Sequence, residues 1–138
     1  MGHRLYVDTS AYLCVLLGER GHRLVAKELA GRELVSSVLL VLEATRNLVR
    51  LAREGILPPG ELQACLARLD EDCQRFSLRD LTLDLCHGTR MPVVTTPRSL
   101  DLAHLRAALW FHEREPLARF VTLDETQAAG AREAGLPT

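Results

Sequence analysis

The sequence predicts an α/β protein whose parallel sheet is covered by helices on both faces. Three observations point there. Short apolar runs of strand length recur along the chain, amphipathic stretches of helix length lie between them, and capping or turn residues stand at the junctions. Strands buried on both faces read as apolar runs, not as alternating ones, which is the mark of a parallel sheet.

In chain order, residues 4–7 (Arg-Leu-Tyr-Val) read as a short buried strand ending at Asp8. A helix follows over 9–17, for which Thr9 or Ser10 can supply the cap, and Gly18 and Gly21 break it. Residues 22–30 form a second helix closed by Gly31, and 33–36 a second strand. Ser36 and Ser37 offer a cap for a long helix over about 38–53, stopped by Gly55. Pro58-Pro59 suits the entry to another helix, running to about residue 73, with Leu62, Leu66 and Leu69 as its apolar stripe. Residues 76–78 are a candidate third strand, 81–88 a helix and 92–97 a loop. Ser99 caps a helix over 100–113. Residues 120–123 (Phe-Val-Thr-Leu) make the clearest strand, ending at Asp124, and a last helix over 125–134 is closed by Gly135.

The 138 residues, 47% hydrophobic and 25% charged, have the size and balance of one ordinary globular unit, so 1–138 reads as a single domain. No run approaches the ~20 apolar residues of a membrane span. The first residues lack the apolar region and small-residue cleavage site of a signal peptide, so a cytoplasmic location is expected. Cys14, Cys65, Cys73 and Cys86 form no C-x-x-C pair and read as free, buried, small hydrophobes. The net charge of −1 gives no global attraction for nucleic acid. The basic residues are almost all arginine, whose planar fork suits phosphate, although GC-rich coding gives the same bias.

Open parallel sheets place their sites at the carboxyl ends of strands. Asp8 and Asp124 both stand there, each also a natural helix cap. Thr122, two residues before Asp124, is expected on the same side of its strand, where it can hold a water or a phosphate oxygen. Asp101 falls in the first turn of a helix, where the dipole favours an acid with no further purpose. Glu43 is more telling: it interrupts the otherwise apolar run 38–44, where a charge is costly unless it is paired or binds a cation. It shares a helical stripe with Arg46, Asn47 and Arg50. That stripe is either a solvated face, with Glu43 paired to Arg46 or Asn47, or the edge of a site with arginines at hand for RNA. Four clustered carboxylates repel one another, and a divalent cation with a preference for oxygen relieves this. Such an ion can orient a water for attack on a phosphodiester.

Four stretches then carry a resemblance. They are Tyr6-Val7-Asp8-Thr9-Ser10-Ala11; Ser36-Ser37 leading to Glu43-Ala44-Thr45-Arg46; Arg98-Ser99-Leu100-Asp101 with His104 one turn on; and Val121-Thr122-Leu123-Asp124 followed by Ala134-Gly135-Leu136-Pro137. In order and separation the chain resembles PIN-domain ribonucleases, specifically VapC-like toxins of toxin–antitoxin pairs. The resemblance implies a PIN-like, Rossmann-like three-layer α/β/α sandwich with a four- to five-stranded parallel sheet, in which the strands ending at Asp8 and Asp124 are neighbours. It implies that Asp8, Glu43, Asp101 and Asp124 are the catalytic acids and hold Mg²⁺ or Mn²⁺, that the activity is endonucleolytic RNA cleavage, and that the partners are a second copy (a homodimer) and a small antitoxin. Some relatives carry a further acid shortly after the position matching Asp124; here Glu125 is adjacent and Gln127 is neutral, so both stay outside the set. Relatives often continue into a last edge strand, which is expected here to be very short or absent.

Around that set, Ser10 is expected to orient Asp8, and His104 to support the site without binding the ion. Arg46, Arg50 and Arg98 are the candidates for RNA contact. Trp110 and Phe111, with the Leu62 stripe, are candidates for a dimer or antitoxin surface, though such residues more often fill a core. Two other functions stay open: a PIN nuclease of general RNA processing, and a module that binds RNA or protein without cleaving.

Overall fold

The computed structural model describes residues 3–96 and 98–138. The expectations touching Met1 and Gly2, and the end of the 92–97 loop at Pro97, lie outside them. The described elements are β1 (Arg4–Val7), α1 (Thr9–Leu17), α2 (His22–Leu29), β2 (Glu33–Ser37), α3 (Leu39–Arg53), α4 (Pro59–Cys73), β3 (Phe76–Arg79), α5 (Leu83–Cys86), a 3-10 turn (Gly88–Arg90), α6 (Ser99–Arg114), β4 (Arg119–Val121) and α7 (Glu125–Glu133).

The four strands form one all-parallel sheet in the order β3-β2-β1-β4. The chain moves outward from β1 through β2 to β3, then returns across the sheet to lay β4 on the free side of β1. Crossovers between parallel strands are right-handed, so reversing the direction of travel moves the connecting helices to the opposite face. The core follows that logic. Leu5 and Val7 of β1 and Val121 of β4 pack with Leu40, Ala44 and Leu48 of α3 and Leu69 of α4. Tyr6 and Phe120, from the same two strands, point the other way and pack with Leu105, Ala108 and Phe111 of α6 and Ala131 of α7. The result is a helix–sheet–helix sandwich. Among the described residues, no helix is long and apolar enough to cross a membrane.

Several boundaries differ from the sequence reading, each for a local reason. Asp8, not Thr9 or Ser10, caps α1, because its carboxylate accepts from the Ala11 N–H while Thr9 and Ser10 are already helical. Gly18, at φ 64°, closes that helix in the left-handed conformation. The helix after β2 has Val38 at its cap position without a side-chain bond; Ser37 Oγ accepts from Leu39 N instead, and Ser36 donates to the Val7 carbonyl. Ser99 is the first residue of α6, not its cap, and Arg98 precedes it. The helix expected over 81–88 shrinks to the single turn of α5 plus the 3-10 turn. The last strand stops at Val121, two residues early, so Thr122 lies beyond the strand and its position does not follow from strand alternation.

No fifth strand occurs among the described residues; Phe120 N donates to the Pro137 carbonyl at 2.7 Å, so the chain after α7 covers the β4 edge with that one bond. Of the cysteines, none of which is in a disulfide among the described residues, Cys14 is buried, Cys65 and Cys73 are half-buried, and Cys86 is exposed, contrary to the reading of all four as buried. Phe111 and Leu69 are core, and the Leu62 stripe and Trp110 pack against opposite faces of the sheet, so they form no common surface.

Because α3 is held by Leu40, Ala44 and Leu48, all fully buried, its inner face is sensitive to truncation. Leu48→Ala is expected to cost about 2–5 kcal/mol of unfolding free energy. Val49→Ala next to it, at a 41% exposed position, should change stability by no more than about 0.5 kcal/mol. Denaturant unfolding followed by circular dichroism checks both.

Candidate active site

Ligands of open parallel sheets bind beyond the carboxyl ends of strands, where neighbouring connections leave in opposite directions. Here that point lies between β1 and β4, whose helices lie on opposite faces. The two strands end in register at Val7 and Val121, and the residues just beyond them carry Asp8 and Asp124. A cleft of about 240 Å³ opens there, and Asp8, Glu43, Asp101 and Asp124 all line it, with Thr9 and His104 between them. Four acids from four different segments are thus brought to one place.

Asp8 is buried at 5% exposure, and both its oxygens are held. Oδ1 accepts from the Ser10 hydroxyl at 2.7 Å and from Ala11 N at 3.1 Å; Oδ2 accepts from the Thr122 hydroxyl. Burial pushes its carboxyl above the ordinary aspartate range, and these hydrogen bonds oppose that shift without cancelling it. Thr122 also accepts from Asp124 N at 3.1 Å, and Ser10 from Leu123 N at 3.0 Å, so the two hydroxyls lock the β1 and β4 exits together. Thr122 is a positioning group for Asp8 and does not line the cleft, as a direct phosphate or water contact would require. Asp124 caps α7 through Oδ1, which accepts from Thr126 N and Gln127 N, leaving Oδ2 without a partner among the described residues.

Glu43 sits in the middle of α3 and faces the cleft. Neither Arg46 nor Asn47 pairs with its carboxylate, and Asn47 bonds its backbone carbonyl. Its Oε1 instead accepts from the Thr9 hydroxyl at 2.8 Å and meets His104 Nε2 at 2.6 Å. Burial pushes this carboxyl up, but the hydrogen bonds from His104 and Thr9 and the charge of Arg98 outweigh it and hold it below the usual range. His104 is itself 2% exposed, and its Nδ1 lies 2.7 Å from the Tyr6 hydroxyl. Burial holds the Tyr6 phenol well above its ordinary pKa, so it keeps its proton. One assignment satisfies both bonds: the phenol donates to Nδ1, and Nε2–H donates to Glu43. His104 therefore joins the strand core to the cleft.

Asp101 lies one turn before His104 on α6, with Arg98 Nε at 4.0 Å from its carboxylate. Burial raises its carboxyl most; Arg98 opposes that, and the negative charges of Asp124 and Glu43 add to it. Gln127 donates to the Asp101 backbone carbonyl at 2.9 Å, which ties α7 to α6 beside the site. Of the expected RNA-contact residues, Arg98 lines the cleft, and Arg46 and Arg98 line the adjoining groove of about 310 Å³. Arg50 is apart from both, paired with Glu54 at 3.1 Å.

Tyr6 and Thr9 were not singled out from the sequence. A buried tyrosine needs a partner for its hydroxyl, and that requirement was the available signal for Tyr6; nothing local marks Thr9. The donor set around the cleft is oxygen-rich, of the kind that suits Mg²⁺ or Mn²⁺. Among the described residues, no three His, Cys, Asp or Glu side chains already stand as a closed ligand group. Compared with known proteins, the sequence matches no family model and no curated protein.

Burial of the Asp8 carboxylate outweighs the hydrogen bonds it accepts, so Asp8→Asn is expected to stabilise the protein in chelator at neutral pH by ~1 kcal/mol, the asparagine keeping the cap. The sign follows from the raised carboxyl. Wild-type stability falls as pH rises through that pKa, because the folded state binds the proton more tightly than the unfolded one. The advantage of Asp8→Asn should therefore grow with rising pH and close at acid pH, as thermal melts across a pH series would record.

Proposed function

We propose that the chain is a divalent-metal-dependent endoribonuclease of the PIN type, acting as the toxin of a toxin–antitoxin pair. The observation that carries this reading is the meeting of Asp8, Glu43, Asp101 and Asp124 in one cleft at the point between β1 and β4 where the connections diverge. The sandwich with its parallel sheet is compatible with the PIN-like fold that the sequence motifs suggest.

The four acids would hold Mg²⁺ or Mn²⁺, as their oxygen chemistry and mutual repulsion favour. A bound divalent ion supplies Lewis-acid stabilisation of phosphodiester charge and a lower pKa for an attacking water. The protein's own groups do the rest. Ser10 and Thr122 fix the direction of Asp8, and Tyr6, through His104, fixes Glu43 together with Thr9. Asp101, in the first turn of α6 beside Arg98, lines the cleft where a carboxylate oxygen can accept a hydrogen bond from a water. Arg98 in the cleft and Arg46 in the adjoining groove offer guanidinium forks to flanking phosphates.

A protein partner over the cleft fits the exposed apolar side chains next in sequence to three of the acids, of which Leu100 lines the adjoining groove. Leu42 precedes Glu43, Leu100 precedes Asp101 and Leu123 precedes Asp124, and they are 65%, 42% and 52% exposed. An acidic centre with apolar neighbours suits a small antitoxin that brings a cation to the acids and apolar side chains to the rim. A homodimer is part of the same reading.

Purified protein is expected to cleave RNA with Mn²⁺ and to stop in chelator, and Asp8→Ala should abolish cleavage while circular dichroism stays unchanged. Thr122→Val, which removes the hydroxyl that orients Asp8 and accepts from Asp124 N, should lower the rate about 10–100-fold. Full activity of Asp8→Ala would overturn the nuclease reading of the acidic cleft, and no cleavage by the wild type with Mn²⁺ would leave a binding module. The toxin reading has its own test: expression should arrest growth, and co-expression of a small protein encoded beside it should relieve the arrest.

A further inference from the structure

A second cleft, of about 270 Å³, lies between α6 and the α5/3-10 segment, and it shares no lining residue with the acidic site. Its floor is Arg106. That side chain is 4% exposed, and its Nε is buried without a hydrogen-bond partner. Among the described residues, Arg106 makes no hydrogen bond and no ion pair. An arginine stays charged in any protein environment, and a buried charge without a counter-ion is costly. The sequence gives no reason for an arginine there: Leu105, Ala107 and Ala108 around it are core.

Further nitrogen-bearing side chains surround it. Arg90, Arg114 and His87 line the same cleft. Arg114 stands 3.7 Å from the centre of the Trp110 ring, and Arg79 stands 4.7 Å from it. Two acids also border the cleft, Asp84 and Glu113. Asp84 is paired with Arg79, at 3.0 Å, and feels the charge of Arg106 without a hydrogen bond or ion pair to it; Glu113 is exposed and in no ion pair among the described residues. The Trp110 ring already carries two guanidiniums, so the cleft offers donors for an anion more than a bare face for a base.

We infer that this cleft is an oxyanion site for a phosphate group, with Arg106 as its buried anchor and Arg90 and Arg114 as outer donors. Guanidinium forks match the oxygens of a phosphate, and the anion supplies the directly bonded counter-charge that Arg106 lacks. This inference is independent of the nuclease reading, since no residue of the acidic cleft takes part. The phosphate can come from free phosphate or from a nucleic-acid backbone.

Trp110 is the one tryptophan of the chain, so its fluorescence reports on this cleft alone. Inorganic phosphate is titrated into the intact protein at constant ionic strength against chloride, with ³¹P line width as a second readout. A saturable response is expected, weakened about tenfold or more in Arg106→Met, as for loss of a charged hydrogen-bond donor. Arg90→Ala, at an exposed position, carries the same test if Arg106→Met does not fold. A second arm adds a single-stranded oligoribonucleotide in chelator. Competition with phosphate that depends on Arg106 identifies a backbone phosphate as the source, and its absence, with phosphate still bound, identifies free phosphate. No saturable response in either readout, an equal response in wild type and the variants, or a response to acetate or an acidic peptide in place of phosphate would overturn the site.

Discussion

The arrangement depends on how β1 and β4 are joined at their carboxyl ends. The strands run parallel in register, Asp8 N donates to the Val121 carbonyl at 3.1 Å, and the Thr122 hydroxyl donates to the Asp8 carboxylate. These bonds place the two strand exits, and hence Asp8 and Asp124, side by side. The sheet order explains why a cleft opens there: the connection after β1 leaves over one face, and the one returning into β4 arrives over the other. Backbone topology makes the space, and side-chain chemistry fills its rim with acid.

Holding several carboxylates at one rim is costly in the absence of positive charge. The protein meets that cost unevenly. Glu43 is stabilised as a carboxylate by a chain of bonds reaching through His104 to Tyr6 in the core, and by Arg98. Asp8 and Asp101 are left with raised carboxyls, burial being the larger cause in both. Asp124 keeps one oxygen on the α7 N-terminus and turns the other loose. The site is therefore stiff on the Glu43 side and electrostatically unsatisfied on the Asp8–Asp101 side. Such imbalance between stability and site chemistry is what an active centre commonly shows.

The parallel α/β fold was legible because its signals are local and strong. The apolar runs at β1 and β4, the glycines after α1 and α7, and the proline entry to α4 each act through short-range backbone physics. Glu43 was legible for a different reason, as a charge in an apolar run. What could not be read locally was the partner that keeps it there. The sequence offered Arg46 and Asn47 one turn away, whereas the actual partners, Thr9 and His104, come from α1 and α6. The end of β4 was misjudged because Thr122 has good strand propensity but gives its hydroxyl to Asp8 in place of continuing the ladder. Arg106 was passed over because a lone arginine in a helix is ordinary until its burial is known.

The central claim is that these four acids act on one shared ion. A crystal grown or soaked with Mn²⁺, with anomalous difference density recorded near the manganese edge, tests it most directly. The account predicts a peak in the cleft, bonded to oxygens of Asp8 and of at least one of Glu43, Asp101 and Asp124. Manganese bound only elsewhere on the protein, with the cleft carboxylates unchanged and still apart, would contradict it.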